Sequence, residues 1–444
     1  MIDRRSLVTS AMALGASTAM GSAATLAKAA AAKPIDPRFP AGFLWGASTA
    51  AHQVEGNNIN ADLWLIENLP GTMFAERSGD AANSFELWPT DLDLARNMGL
   101  NSYRFSLEWA RIEPDKGHFS NAMLDHYKAM IDGCRARGLN PVVTFNHFTT
   151  PRWFAAQGGW HHAESPDLFA RFCDRAARHL AGGIELATTL NEPNLVGVIG
   201  EILPAALVAG DRAMQEAAAR QLGVPLYAPG VALYVQDAKL YRANMMEAHR
   251  RGVAAIKAAR GALPVGVSLA ILDDQAAGPH SMRDQIRERY YGEWLRLAAQ
   301  TCDFIGVQNY ERKVWGDKGP LPPPADARRN TTGAEVWPGS LAGAVRYAWE
   351  ATRLPVYVTE HGVNTDDDTL RQWLIPAALA ELKRAMDDGV PVRGYMHWSL
   401  LDNFEWGFGY AHRFGLHAFD RETFVRTAKP SAAVLGAIAR RNSL

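Results

Sequence analysis

The chain has 444 residues, 48% of them hydrophobic and 21% charged, with a formal net charge of −1 at pH 7. That balance is ordinary for a folded protein and rules out a disordered or fibrous chain, while near neutrality leaves no cationic excess to meet a nucleic-acid backbone or an anionic bilayer. Three cysteines (Cys134, Cys173 and Cys302) are too few and too scattered for a disulfide framework or a thiolate zinc site, whereas thirteen tryptophans call for a large core or a site with aromatic platforms.

Residues 1–32 read as a processing segment. Arg4 and Arg5 precede a modestly apolar, alanine-rich stretch, and small residues suited to cleavage follow around Ala27–Ala31. Ser, Thr and Gly interrupt the stretch, which is too weakly apolar for a transmembrane helix. Arg-Arg-Ser-Leu resembles a twin-arginine export signal. The expectation is a periplasmic or extracellular mature protein, residues 33–444, with no membrane association once the leader is removed.

Beyond the leader, short β-rich runs alternate with helical patterns. The runs are 42–49, 102–107, 141–146, 186–191, 264–270, 304–310, 355–360 and 392–400. Most are apolar on successive residues, as strands buried on both faces of a parallel sheet are. Between them, residues 124–137 place Leu124, Tyr127, Ile131 and Cys134 on one helical face and stop at Gly138. Residues 166–181 begin with Ser165 as N-cap and Pro166 at the first turn, and residues 368–388 form a long helix before Gly389. Eight strands alternating with helices predict an α/β fold of one domain, a closed (β/α)₈ barrel. The linkers 61–79, 194–240 and 311–340 exceed ordinary βα loops and read as cleft walls.

Polar residues gather where the apolar strands end: Arg104, Asn146-His147, Asn191-Glu192, Asn309-Tyr310, Glu360-His361 and His397-Trp398. Barrel active sites lie at the carboxyl ends of the strands, so this shared location points to one site. Glu192 ends the fourth strand and Glu360 the seventh. Two glutamates facing each other across a barrel mouth, among Trp, Asn, His and Gln, suit a retaining glycosidase. One must be protonated to assist the leaving group and the other ionised to attack the anomeric carbon, so their environments must push the pKa values apart. Arg104 would favour the charged form of whichever carboxylate it meets.

From about residue 39 to 440 the sequence resembles the β-glucosidases of glycoside hydrolase family 1. The segments that carry the resemblance are Phe-Leu-Trp-Gly-Ala-Ser-Thr-Ala-Ala-His-Gln-Val-Glu-Gly (43–56), Tyr-Arg-Phe-Ser-Leu-Glu-Trp-Ala-Arg-Ile-Glu-Pro (103–114), Thr-Phe-Asn-His-Phe-Thr-Thr-Pro (144–151), Thr-Leu-Asn-Glu-Pro (189–193), Asn-Tyr (309–310), Thr-Glu-His-Gly (359–362) and Trp-Ser-Leu-Leu-Asp-Asn-Phe-Glu-Trp (398–406). The resemblance implies Glu192 as acid/base and Glu360 as nucleophile. It implies Asn191 on the sugar 2-hydroxyl, and Tyr310 and Arg104 holding the nucleophile. Gln53, His147 and Glu405 would bind the −1 sugar, Trp398 would lie beneath its ring, Trp406 would add a further contact, and Trp337 would stand at the aglycone entrance.

The implied activity is that of a retaining exo-β-glycosidase, a β-glucosidase acting on a small β-glycoside without cofactor or metal. Transglycosylation, or specificity for galactosides or fucosides, is the alternative on the same residues. A phosphorylated sugar fits poorly, because Glu405 would repel it.

One departure stands out. The family usually carries Asn after the nucleophile, where this chain has His361. The expectation is that His361 points away and fills a hydrogen-bonding slot; the alternative is that it perturbs Glu360 and shifts the optimum toward acid. His161-His162 reads as a surface pair, Asp366–Asp368 as a helix N-terminal acidic cluster, Pro322–Pro324 as a stiff loop, and Glu108 and Glu113 as ion-pair partners.

Overall fold

A computed structural model describes residues 36–199 and 204–444. The leader expected over 1–32 lies outside the described residues. Eight parallel strands close on themselves: β1 (Leu44–Ser48), β2 (Ser102–Ser106), β3 (Asn140–Asn146), β4 (Leu186–Asn191), β5 (Val265–Ala270), β6 (Phe304–Asn309), β7 (Val356–His361) and β8 (Val392–Trp398). Each pairs with its sequence neighbours, and β8 returns to β1, with Leu44 opposite Gly394 and Ser48 opposite Trp398. All eight expected strands form, each boundary within two residues of its expected place.

Eight helices wrap the barrel: α1 (Ser84–Asn97), α2 (Asn121–Ala136), α3 (Ser165–Leu180), α4 (Ala238–Ala259), α5 (Glu293–Thr301), α6 (Ser340–Thr352), α7 (Asp368–Asp387) and α8 (Pro430–Arg441). α2 starts earlier than its apolar pattern suggested, because Ser120 caps it by accepting from the Met123 amide at 3.2 Å. Ser165 is not the cap of α3 but its first residue; Glu164 precedes it, and the Ser165 hydroxyl is buried without a partner among the described residues. α7 continues through Pro376 and is capped by Asp367.

Side chains alternate across each strand. Outward residues such as Val307, Val358 and Tyr395 join the main core between barrel and helices. Inward residues Leu44, Val142, Leu186, Phe304 and Met396, with Tyr357 against them, plug the barrel floor. The upper interior is left to polar side chains.

All three long linkers carry secondary structure of their own: a helix over Asp62–Asn68, a helix over Ala205–Leu222, and a strand over Arg312–Trp315 that pairs with Asp273–Ala276. Opposite the mouth, at the barrel floor, the two ends of the domain are tied together. The Phe39 amide donates to the Asn442 carbonyl at 2.9 Å, the Asn442 side chain accepts from Trp45 Nε1 at 2.9 Å, and the Leu444 amide donates to the Pro37 carbonyl at 2.9 Å.

Candidate active site

Period-2 alternation alone would not aim the two key strands correctly. In β4, Thr188 pairs with Gly266 of β5, but Ser268 pairs with Asn191, so β4 carries one extra residue. Thr189 and Leu190 accordingly both face outward: Thr189 bonds His249 of α4 at 2.7 Å, and Leu190 lies in the main core. Asn191 then turns inward. In β7, Val307 and Gln308 of β6 oppose Val358 and Glu360, which leaves Thr359 as the extra residue. Tyr357 faces in, the bulge carries Glu360 in as well, and His361 faces out. Bulges of this kind re-aim side chains beside active sites. The backbone at Glu192 itself is left-handed (φ 43°), a costly conformation for a residue with a side chain, and its amide donates to the Ser268 carbonyl at 2.8 Å.

Glu360 is buried and fully engaged. Arg104 Nη1 donates to its Oε1 at 2.6 Å, Gln308 Nε2 to the same oxygen at 2.8 Å, and the Tyr310 hydroxyl to Oε2 at 2.7 Å. Arg104 is fully buried and also donates to Asn191 Oδ1 at 2.6 Å, an oxygen that takes a second bond from Gln308 at 2.8 Å. Burial pushes the Glu360 carboxyl upward, and Arg104, Tyr310 and Gln308 pull it back.

Glu192 is half-buried, and no described residue donates a hydrogen bond to its carboxyl. Burial drives its pKa well above the usual carboxylate range; the charge of Glu360 adds to this, Arg104 opposes it, and Glu405 adds a little more. The two carboxyls therefore feel each other, and their surroundings differ in the sense that separates an acid from a base.

A second group of side chains adjoins the first. Asn191 Nδ2 contacts His147 Nε2 at 3.2 Å, and the His147 ring stacks on Trp398 with centroids 5.8 Å apart. Burial, with Arg104 adding, holds His147 well below its usual pKa, so the ring is neutral. Trp398 Nε1 points to Glu405 Oε1 at 3.4 Å. Burial pushes Glu405 up to about 8, against hydrogen bonds from Trp398 and Gln53. Gln53 is fixed by the Phe404 carbonyl at 2.9 Å and Asn403 at 3.0 Å. Trp406 lies parallel to His52, 5.8 Å away. Gln53 Oε1, His147 Nδ1 and Gln308 Oε1 are buried with no protein partner among the described residues, capacity that a ligand bearing several hydroxyls would use.

Every expected site residue but one falls into these two groups. Trp337 stands apart, 42% exposed, its ring 4.0 Å from the Arg312 guanidinium that Glu335 clamps through two 2.8 Å bonds. The structure adds Gln308, Asn403 and His52. Gln308 was within reach of the sequence: it lies two residues before Tyr310 and so shares its face.

The other expectations divide. His361 faces away from Glu360 and bonds Tyr395, as expected. Glu113 pairs with Arg171. Glu108 forms no ion pair among the described residues: it is buried, accepts from the Ala110 amide at 3.1 Å and the Thr149 hydroxyl at 2.8 Å, and burial raises it to about 7. His161 accepts from the Asp237 amide at 3.3 Å and His162 from the Glu164 amide at 3.3 Å, so both brace loops.

Comparison with known proteins agrees with this architecture. The profile of Glycosyl hydrolase family 1 matches residues 35–295 and 279–444. The chain is 32% identical to a β-glucosidase of Agrobacterium sp. across 90% of its own length and 95% of the relative's. Among solved structures, it superposes on β-glycosidase BGL167 with a TM-score of 0.86 at 44% identity, covering 91% of this chain and 98% of that one. The apo structure of β-glucosidase 1317 gives the same TM-score at 40% identity, covering 90% and 98%.

Proposed function

Since the chain belongs to glycosyl hydrolase family 1 and is a β-glycosidase, we propose that it is a retaining, exo-acting β-glucosidase with Glu360 as nucleophile and Glu192 as acid/base. The observation that carries this assignment is the unequal treatment of the two carboxyls. Glu360 takes three hydrogen bonds, one from a buried guanidinium, whereas Glu192 takes none from the described residues and is driven toward its protonated form.

In the first step the Glu192 proton moves to the glycosidic oxygen as Glu360 Oε attacks the anomeric carbon; the aglycone leaves and a glycosyl ester forms on Glu360. Glu192, now ionised, takes a proton from water, whose oxygen attacks the same carbon and releases Glu360. The orphaned atoms of Gln53, His147 and Gln308, with Asn191 and Glu405, supply hydrogen bonds for the −1 sugar, and Trp398 supplies an apolar face. Trp337, exposed on Arg312, would meet the aglycone.

Glu360→Gly should abolish turnover, and azide should restore it with formation of the α-glycosyl azide. A β-azide from that variant would exchange the two assignments. Glu192→Ala should keep a fast first step on nitrophenyl glycosides while losing activity on alkyl ones, which need protonation of the leaving oxygen.

Export through a twin-arginine route is the accompanying proposal, supported by Arg4-Arg5 and the small residues near Ala27–Ala31. Replacing both arginines with lysine should retain activity in the cytoplasmic fraction; unchanged export would remove the proposal.

A further inference from the structure

Behind the site, on the outer face of the barrel, three buried polar side chains form a string that the chemistry above does not use. His361 Nδ1 lies 2.9 Å from the Tyr395 hydroxyl, and the same hydroxyl lies 3.0 Å from His397 Nδ1. All three are essentially inaccessible to solvent. One phenolic proton satisfies both contacts only if one imidazole donates from Nδ1 and the other accepts there. Burial lowers both imidazoles, His361 to about 4 and His397 well below the usual range with Arg371 and Lys429 adding to the effect, so the string is uncharged near neutrality.

Its attachment points give it meaning. His361 follows Glu360 directly, on the far side of the Thr359 bulge, and His397 precedes Trp398. Each imidazole of the string is thus one residue from an inward group of the site. Strict alternation would turn Glu360 outward and His361 inward; the bulge reverses both. The bulged turn needs something to hold its outward residue, and Tyr395, anchored in the main core, provides it. Gly362 adds a close approach, since a Cβ there would collide with the Trp398 carbonyl.

We propose that the His361–Tyr395–His397 string is a positioning device that fixes the β7 bulge, and through it the aim of Glu360, from behind the sheet. The proposal rests on Glu360 being the nucleophile. Loss of the string lets the end of β7 relax, which loosens the bonds to Glu360 from Arg104, Gln308 and Tyr310 while Glu192 and Glu405 still face it. Burial then acts on Glu360 with less to offset it, and its ionisation moves to higher pH.

Tyr395→Phe keeps the ring and removes only the hydroxyl. It should lower kcat on the order of ten- to a hundredfold, leave KM nearly unchanged, and move the acid limb of the pH profile upward. His361→Leu should do the same from the other end. His361→Asn, whose Oδ1 falls where Nδ1 lies, should retain the bond to Tyr395 and remain close to the parent enzyme in both respects. In a Glu360→Gly background rescued by azide, Tyr395→Phe should have no further effect, because the carboxylate being aimed is gone. Unchanged kcat and acid limb in both Tyr395→Phe and His361→Leu would overturn the proposal, as would an equal loss in the azide-rescued background, which means general loosening. Failure of azide to rescue Glu360→Gly at all would instead refute the nucleophile assignment, independently of how Tyr395→Phe behaves in the parent enzyme.

Discussion

Removing the Arg104 guanidinium strips Glu360 of the one cation bonded to it among the described residues. Arg104→Met leaves Tyr310 and Gln308 as donors to a buried carboxylate, so its pKa rises further and the ionised fraction falls at any given acidic pH. The expected result is a loss of about 10²–10³-fold in kcat/KM and an acid limb displaced to higher pH, read from pH–rate profiles. Glu108 gives a matching test away from the chemistry. Its folded-state pKa is raised to about 7, so the native chain holds a proton that the unfolded chain releases at lower pH. Stability therefore falls as pH climbs from the ordinary carboxyl range through 7, by up to about 3 kcal/mol. Glu108→Gln removes that dependence, and urea midpoints should show the variant gaining on the parent between pH 5 and 8. Equal differences at both pH values would mean Glu108 is not held protonated.

Individual helices and strands differ in how openly the sequence declared them. The eight barrel strands were legible because successive apolar residues end in polar ones, and Glu192 and Glu360 were legible because both sit at such ends. The bulges in β4 and β7 were not, since Thr-Thr-Leu-Asn and Val-Thr-Glu-His read as continuous strand and the extra residue shows only against the partner's register. Gln308 lies inside an apolar run that reads as strand, and Asn403 acts through Gln53 across 350 residues of chain, a relation that spacing does not encode. The role of Glu108 is hidden because its partners are an amide two residues on and a hydroxyl from another loop. Capping offers a test here. Asp237 caps α4 through the Lys239 and Leu240 amides at 3.1 and 2.9 Å from an exposed position. Asp237→Ala should cost about 1 kcal/mol of stability by denaturant titration and leave kcat/KM unchanged.

Taken as one body, the molecule keeps its thiols out of reach. Cys134 and Cys173 are buried, Cys302 is half-buried, all three cysteines are free, and burial raises Cys134 and Cys302 to about 12 and Cys173 well above the usual thiol range. Melting temperature should be the same with and without reductant, and a thiol reagent at pH 8 should label the native chain slowly and all three thiols at once after denaturation. A reductant-dependent melting point would show that a disulfide supports the fold. No helix among the described residues is long and apolar enough to cross a membrane.

The stitching of Phe39, Trp45 and Pro37 to Asn442 and Leu444 puts both ends of the described domain on the face opposite the opening. A bead, an electrode or a fused carrier joined at Leu444 would hold every molecule with its cleft directed away from the support. Enzyme immobilised in that way should turn over bulky glycosides as fast as it does free in solution.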